Sequence, residues 1–182
     1  DLHLNSKLRA LDANVTIFTS PYPLSTMSLG AFRTGMHITD VELDSIFTTG
    51  ELTFGHPNTE TIYMSGFTYT GEASIVSLIS RESSFLWGQP NTFITHLNMV
   101  ALNESLVSNT TLYVNGELTM HARQHIRILA NATTQGDVFA IADTDCSGHG
   151  LFKIGNDSRI MTNNMQWNNM KMQLRHTLTM QN

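Results

Sequence analysis

Apolar residues recur at every second position almost throughout this chain, in short runs that never extend into an i, i+3, i+4, i+7 stripe. A strand points successive side chains to opposite faces, so this alternation restricts the chain to many short, half-buried β-strands. The runs are Val15/Ile17, Leu52/Phe54, Ile62/Met64, Leu112/Val114, Leu118/Met120, Ile126/Ile128, Val138/Ile141, Phe152/Ile154 and Met170/Met172/Leu174. Asp40 to Ile46 is helix-like, but it is too short to compete with a dozen strands.

Small polar or turn-forming residues separate the runs: Gly35, Gly50, His56-Pro57-Asn58, Gly71, Gln89-Pro90-Asn91, Asn115-Gly116, Gln135-Gly136 and Gly155-Asn156. Written in rows, the chain restarts at His37, Thr61, Ser84, Leu106, Gln124, Gly148 and Met170, a loose repeat of roughly 18 to 24 residues. One turn of a β-solenoid needs about that much chain to cover three short faces and return one strand higher. The expected architecture is therefore an all-β, single-stranded parallel β-helix of about eight coils, rising roughly 35 to 40 Å at ~4.8 Å per coil. An antiparallel β-sandwich spaces its turns as densely, and Asn115-Gly116 suits a hairpin, so the sandwich stands as the alternative.

The 182 residues suffice for a single domain spanning 1–182, which reads as an excerpt or repeat unit of a longer chain or filament. Charged residues make up 14%, well under the roughly 25% of ordinary soluble domains, and 23 Thr, 15 Ser and 15 Asn fill the gap. That polar, weakly charged surface suits β-structure outside the cell. A net charge of −5, with ten scattered Lys and Arg, offers no basic stripe for a nucleic-acid backbone. Cys146 stands alone, so no intrachain disulfide braces the fold. No apolar run approaches the ~18 residues of a transmembrane helix, and residue 1 begins inside an alternating pattern (Leu2, Leu4) without a signal-peptide profile.

Residues 28–55, with Met36-His-Ile-Thr-Asp-Val-Glu-Leu43 and Thr48-Thr-Gly-Glu-Leu-Thr-Phe-Gly55, are followed by Thr61-Ile-Tyr-Met-Ser-Gly66. Further on come Asn91-Thr-Phe-Ile-Thr-His-Leu97 and Leu112-Tyr-Val-Asn-Gly-Glu-Leu-Thr119. This succession resembles the filamentous-haemagglutinin-type repeats of very large secreted proteins. The resemblance covers residues 28–120 and implies a right-handed β-helix with an adhesive or structural extracellular role and no catalytic residue. Within that frame Ile38, Leu43, Ile46, Leu52 and Phe54 are expected to point inward, and Gly35, Gly50 and Gly55 to occupy corners that a Cβ would obstruct. Glu42 is expected to hydrogen-bond backbone amides at a corner.

Asp143-Thr-Asp-Cys-Ser-Gly-His-Gly150 is the string most suggestive of chemistry. Gly-His-Gly after aspartates resembles pectin-cleaving glycosidases, which are β-helices working with paired carboxylates. Those enzymes need further carboxylates on neighbouring coils, where this chain offers Arg123, Gln124 and His125, so a polar turn is the preferred reading. Asp143, Asp145, Cys146 and His149 lack the paired spacing of a zinc site, and His121 and His125 would converge only on a helix. No cofactor or metal is expected, and the ten Met residues read as core filler. Five Asn-X-Ser/Thr sequons begin at Asn14, Asn103, Asn109, Asn131 and Asn156. Chance supplies about three at this composition, so their expected placement carries the argument: Asn14, Asn109 and Asn131 outward on strands, Asn103 and Asn156 at turns.

Both ends alternate as ordinary strands (Leu2/Leu4; Leu174/Leu178/Met180), which predicts pairing with further coils of the same chain or head-to-tail stacking of identical copies. The leading expectation is thus a non-catalytic structural segment of an extracellular, glycosylated fibre. Adhesion to surface carbohydrate or protein is the second class, favoured if Tyr63, Phe67 and Tyr69 are exposed together. Glycoside cleavage at Asp143, Asp145 and His149 is the third, and a viral fibre shares the composition.

Overall fold

A computed structural model describes residues 7–19, 25–31, 34–162 and 170–172. The first described elements are β1 (Leu8–Ala10), β2 (Val15–Ile17), β3 (Ser25–Gly30), β4 (Met36–Ile38), the helical turn α1 (Asp40–Leu43), β5 (Ile46–Thr48) and β6 (Glu51–Gly55). Five circuits of three strands follow. They are β7 (Thr59–Ser65), β8 (Thr68–Tyr69), β9 (Ile75–Ser80); β10 (Ser83–Leu86), β11 (Asn91–Phe93), β12 (His96–Ala101); and β13 (Leu106–Ser108), β14 (Leu112–Val114), β15 (Leu118–Ala122). Then come β16 (Ile126–Ile128), β17 (Ala132–Thr134), β18 (Val138–Ile141); and β19 (Phe152–Ile154), β20 (Ile160–Thr162), β21 (Met170–Met172).

Each circuit contributes one strand to each of three sheets, ordered β4-β3-β7-β10-β13-β16-β19, β8-β11-β14-β17-β20 and β2-β6-β9-β12-β15-β18-β21. We call these the first, second and third faces. Every pairing among the described strands is parallel, which makes the molecule a β-solenoid and removes the antiparallel sandwich. Among the described residues it completes about five turns, where about eight were expected. Part of the difference lies at the start, where Val15 pairs with Leu52, so the first turn consumes far more chain than the turns between Leu52 and Val138. The rest lies at the end, because Met170, read as the start of a further row equivalent to Gly148, belongs to the third face opposite Val138. The other expected row starts fall on or beside the first face. Leu2, Leu4, Leu174, Leu178 and Met180 lie outside the described residues.

The early turn is long because the chain doubles back. β3 lies between β4 and β7, with Leu29 opposite both Ile38 and Met64. Ser28 Oγ donates to the Thr34 carbonyl at 2.8 Å and accepts the Thr34 amide at 3.1 Å, which pins the return loop. Gly35 takes a φ of +58°, and a Cβ there would collide with the Thr26 backbone. The α1 turn is fixed by a reciprocal cap: Glu42 Oε2 accepts the Thr39 amide at 2.8 Å while Thr39 Oγ1 accepts the Glu42 amide at 3.3 Å. Glu42 thus has the structural use expected of it.

The core is a set of columns running along the axis. On the third face Leu52, Val76, Leu97, Leu118 and Val138 stack in register, and the sequence separation between successive members falls towards the later coils. The column beside it reads Phe54, Leu78, Met99, Met120, Ala140. On the second face Phe93, Val114 and Thr134 follow one another. In these last two columns the side chains become smaller along the axis, while on the first face Ser84, Leu106, Ile126 and Phe152 become larger, so that each layer of the interior stays filled. Phe67 packs into the same interior, its ring 5.9 Å from Phe54 and 5.7 Å from Phe93. Ile38, Leu43, Ile46, Leu52 and Phe54 are all buried as expected. Phe67 and Tyr69 are buried too, so the joint exposure with Tyr63 that would favour adhesion is not met; Thr68 between them faces out, and their parity puts both rings inside.

Candidate functional site

Where flat faces meet, the backbone turns and side chains take over part of the coil-to-coil bonding. At the corner entering the first face, Ser83 Oγ accepts the Ser105 amide at 3.3 Å and Ser105 Oγ accepts the His125 amide at 3.3 Å. His125 Nδ1 in turn accepts the Leu151 amide at 3.2 Å. Each donor sits one coil further along than its acceptor, so the three bonds tie four successive coils. Asn14 Oδ1 accepts the Glu51 amide (2.9 Å), His96 Nδ1 the Glu117 amide (3.0 Å) and Asn131 Oδ1 the Arg159 amide (3.0 Å) in the same way. Burial, with a contribution from the Arg127 charge, holds His125 below its ordinary pKa. The neutral ring is the one that accepts through Nδ1.

All five sequon asparagines lie outside strands, at corners and turns. Asn14, Asn109 and Asn131 flank strands instead of lying on their outward parity, but they are exposed, as is Asn156. Asn103 is half-buried and its Nδ2 donates to Glu82 Oε1 at 3.3 Å. At Asn14 and Asn131 the neighbouring coil engages Oδ1, which leaves unaltered the nitrogen to which a glycan attaches.

The Asp143–Gly150 turn is held together by its own aspartates. Asp143 has a φ of +60°, is buried, and accepts from Ser147 Oγ at 3.1 Å and the Gly148 amide at 3.1 Å. Asp145 pairs with Arg123 Nε of the preceding coil at 2.7 Å and accepts the Ser147 amide at 3.2 Å. The Arg123 guanidinium, then the Ser147 amide, lower the Asp145 pKa to about 2. At neutral pH Asp145 therefore has no proton to donate as a general acid. His149 is exposed at the outer edge of the turn, and Cys146 beside it is exposed with a φ of +59°. Among the described residues no three His, Cys, Asp or Glu side chains converge as metal ligands would, and no helix is long and apolar enough to cross a membrane.

The outer side of the first face carries a feature that alternation alone does not disclose. Tyr63 and Phe85 stand directly opposite in adjacent strands with rings stacked at 5.5 Å and 16°, followed by Val107 in the next coil. With Trp87, Leu86, Thr26, Thr34 and Asn109 they line a groove of about 450 Å³. The sequence signal for it is the register: Tyr63, Phe85 and Val107 are evenly spaced at close to one turn, and so must share an outward column. The corner ladder is legible in the same way, from Ser83, Ser105 and His125 standing at or just before strands at similar steps.

Comparison of the chain with family models, with curated proteins and with solved structures gave no match.

Proposed function

We propose that this chain is a structural segment of an extracellular, glycosylated fibre, in which the solenoid supplies length and stiffness. The observation that carries the reading is the corner ladder from Ser83 through Ser105 and His125 to Leu151, which adds side-chain bonds to sheets already paired in register on three faces. A stack whose every coil grips the next resists bending, and at ~4.8 Å per coil five turns rise roughly 24 Å. The polar, weakly charged surface and the exposed sequons at Asn14, Asn109, Asn131 and Asn156 support the extracellular, glycan-bearing part of the reading. Stacking of copies end to end, or continuation into further coils, extends the same parallel pairing.

Electron microscopy of native secreted material tests the proposal. Thin rods with an axial repeat at the ~4.8 Å strand spacing are the expected outcome, and isolated compact particles overturn it. A second reading, adhesion to surface carbohydrate, draws on the Tyr63–Phe85 stack and exposed Trp87; glycan-array binding by the folded chain separates it from the first.

A further inference from the structure

A groove lined by stacked aromatic rings on the outer side of the first face calls for an occupant. Its position relative to one sequon identifies the occupant. Leu86 pairs with Ser108, so the next residues, Trp87 and Asn109, stand beside each other one strand spacing apart, and the Asn109 amide donates to the Leu86 carbonyl at 2.7 Å. On the other side, the Leu129 amide donates to the Ser108 carbonyl at 2.7 Å, which places Leu129 beside Asn109 in the following coil. The exposed Asn109 carboxamide therefore emerges between two large apolar side chains that are themselves exposed, Trp87 at 41% and Leu129 at 39%. Asn109 lines the groove that Trp87, Phe85 and Tyr63 floor.

We propose that Asn109 carries an N-linked glycan whose first N-acetylglucosamine lies in this groove against Trp87, so that the occupant is the chain's own sugar. The proposal rests on the glycoprotein reading above and deepens it by assigning one site and one packing partner. In the modification, Asn109 Nδ2 loses a proton and forms a bond to C1 of the sugar. The C1–O bond to a lipid-linked pyrophosphate donor breaks, and the lipid pyrophosphate leaves with the electron pair. Thr111 supplies the sequon hydroxyl.

The geometry suits this sugar. A pyranose presents a face of C–H bonds that packs on an aromatic ring, while its hydroxyls and acetamide need polar partners, which Thr26 and Thr34 offer along the same groove. The volume, about 450 Å³, falls within the roughly 300–1,000 Å³ range of small-ligand sites. The other sequons lack this setting: Asn14, Asn131 and Asn156 do not line the groove, and Asn103 has Nδ2 tied to Glu82.

The test uses the full chain secreted from eukaryotic cells, in a Trp167→Phe background that leaves Trp87 as the single indole. Glycopeptide mass spectrometry reads occupancy at each sequon, and acrylamide quenching reads the cover over Trp87. Native glycan at Asn109 is expected to lower the quenching constant at least about twofold relative to Thr111→Ala, as a ring packed on the indole requires. Enzymatic trimming to one N-acetylglucosamine, done on folded protein, is expected to preserve that protection, and complete deglycosylation to abolish it. Equal quenching with and without sugar at an occupied Asn109 overturns the packing. A bare Asn109 among occupied sequons overturns the site while leaving the glycoprotein reading intact, whereas five bare sequons overturn both. Protection of Thr111→Ala by added free chitobiose, with no protection by the native glycan, overturns the assignment of the groove to the chain's own sugar.

Discussion

Asn91, wholly buried at the start of β11, accepts the Phe67 amide of the preceding coil through Oδ1 at 3.0 Å. Its equivalents in the next two coils are Leu112 and Ala132, so one layer carries a polar rung in a column that is otherwise apolar. The rung exists because the backbone at Phe67 bends between faces, where its amide needs an acceptor other than a strand partner.

Asn91→Ala is expected to leave that buried amide unsatisfied and to cost about 1–3 kcal/mol of unfolding free energy. Urea denaturation of the folded chain measures it, and a change below about 0.5 kcal/mol contradicts the role assigned to Asn91.

The third-face column from Phe54 to Ala140 predicts opposite size tolerances at its two ends. Phe54→Ala opens a cavity beside Phe67 and is expected to cost about 3–5 kcal/mol. Ala140→Leu, in the same column but in a shorter turn, overfills the interior and is expected to cost about 1–3 kcal/mol. If Ala140→Leu proves stabilising, the interior beside Ala140 is underpacked and core volume does not set the size of that column.

Acidification should weaken the corner ladder at His125. Its pKa lies below the ordinary 6.5 in the folded chain, so it contributes stability above that unfolded value. The contribution is lost as pH falls through the lower folded value, when Nδ1 gains a proton and stops accepting the Leu151 amide. His125→Asn retains an acceptor without titrating, and the gap between its urea midpoint and that of the native chain should shift in favour of the variant from pH 7.5 to pH 5. Parallel pH profiles of the two proteins would remove His125 from the ladder's pH dependence.

The Arg123–Asp145 pair makes a spectroscopic prediction. The carboxyl carbon of Asp145 should titrate at about 2 in the native chain and move towards the ordinary 3.8 in Arg123→Ala. Because the folded pKa is depressed, any associated stability is present above 3.8 and disappears as pH falls towards 2. An unshifted titration in Arg123→Ala assigns the effect to the Ser147 amide instead.

Sequence alternation identifies the strands and the inward columns because parity is a local property, shared by a residue and its neighbours two positions away. It fails at corners, where parity restarts. Whether Phe67 and Tyr69 face in or out is not legible locally, because nothing marks Gly66 as the point where the backbone changes face, with a φ of +62°. The return of β4 alongside β3 is hidden for a related reason: it is fixed by Ser28 bonding to Thr34, a contact with no periodic signature. Among the candidate groups, Asp143 and Asp145 are visible as a pair, but their engagement by Ser147, Gly148 and Arg123 depends on how one coil lies over another. The groove beside Asn109 needs register as well, because Trp87 is a full turn away from Asn109 along the chain and adjacent only once the coils are stacked.

The near-constant length of the later turns along the third face also determines how the molecule yields to load. Each coil bonds mainly to the coils on either side, so tension on the chain detaches one coil without unpairing those beyond its neighbour. The molecule then unwinds like thread from a bobbin, releasing roughly 70–80 Å of contour per coil at ~3.4 Å per residue. The last described turn, from Val138 to Met170, holds more chain than those between Leu52 and Val138 and so releases a longer step, and a force–extension trace records the order in which the coils come off.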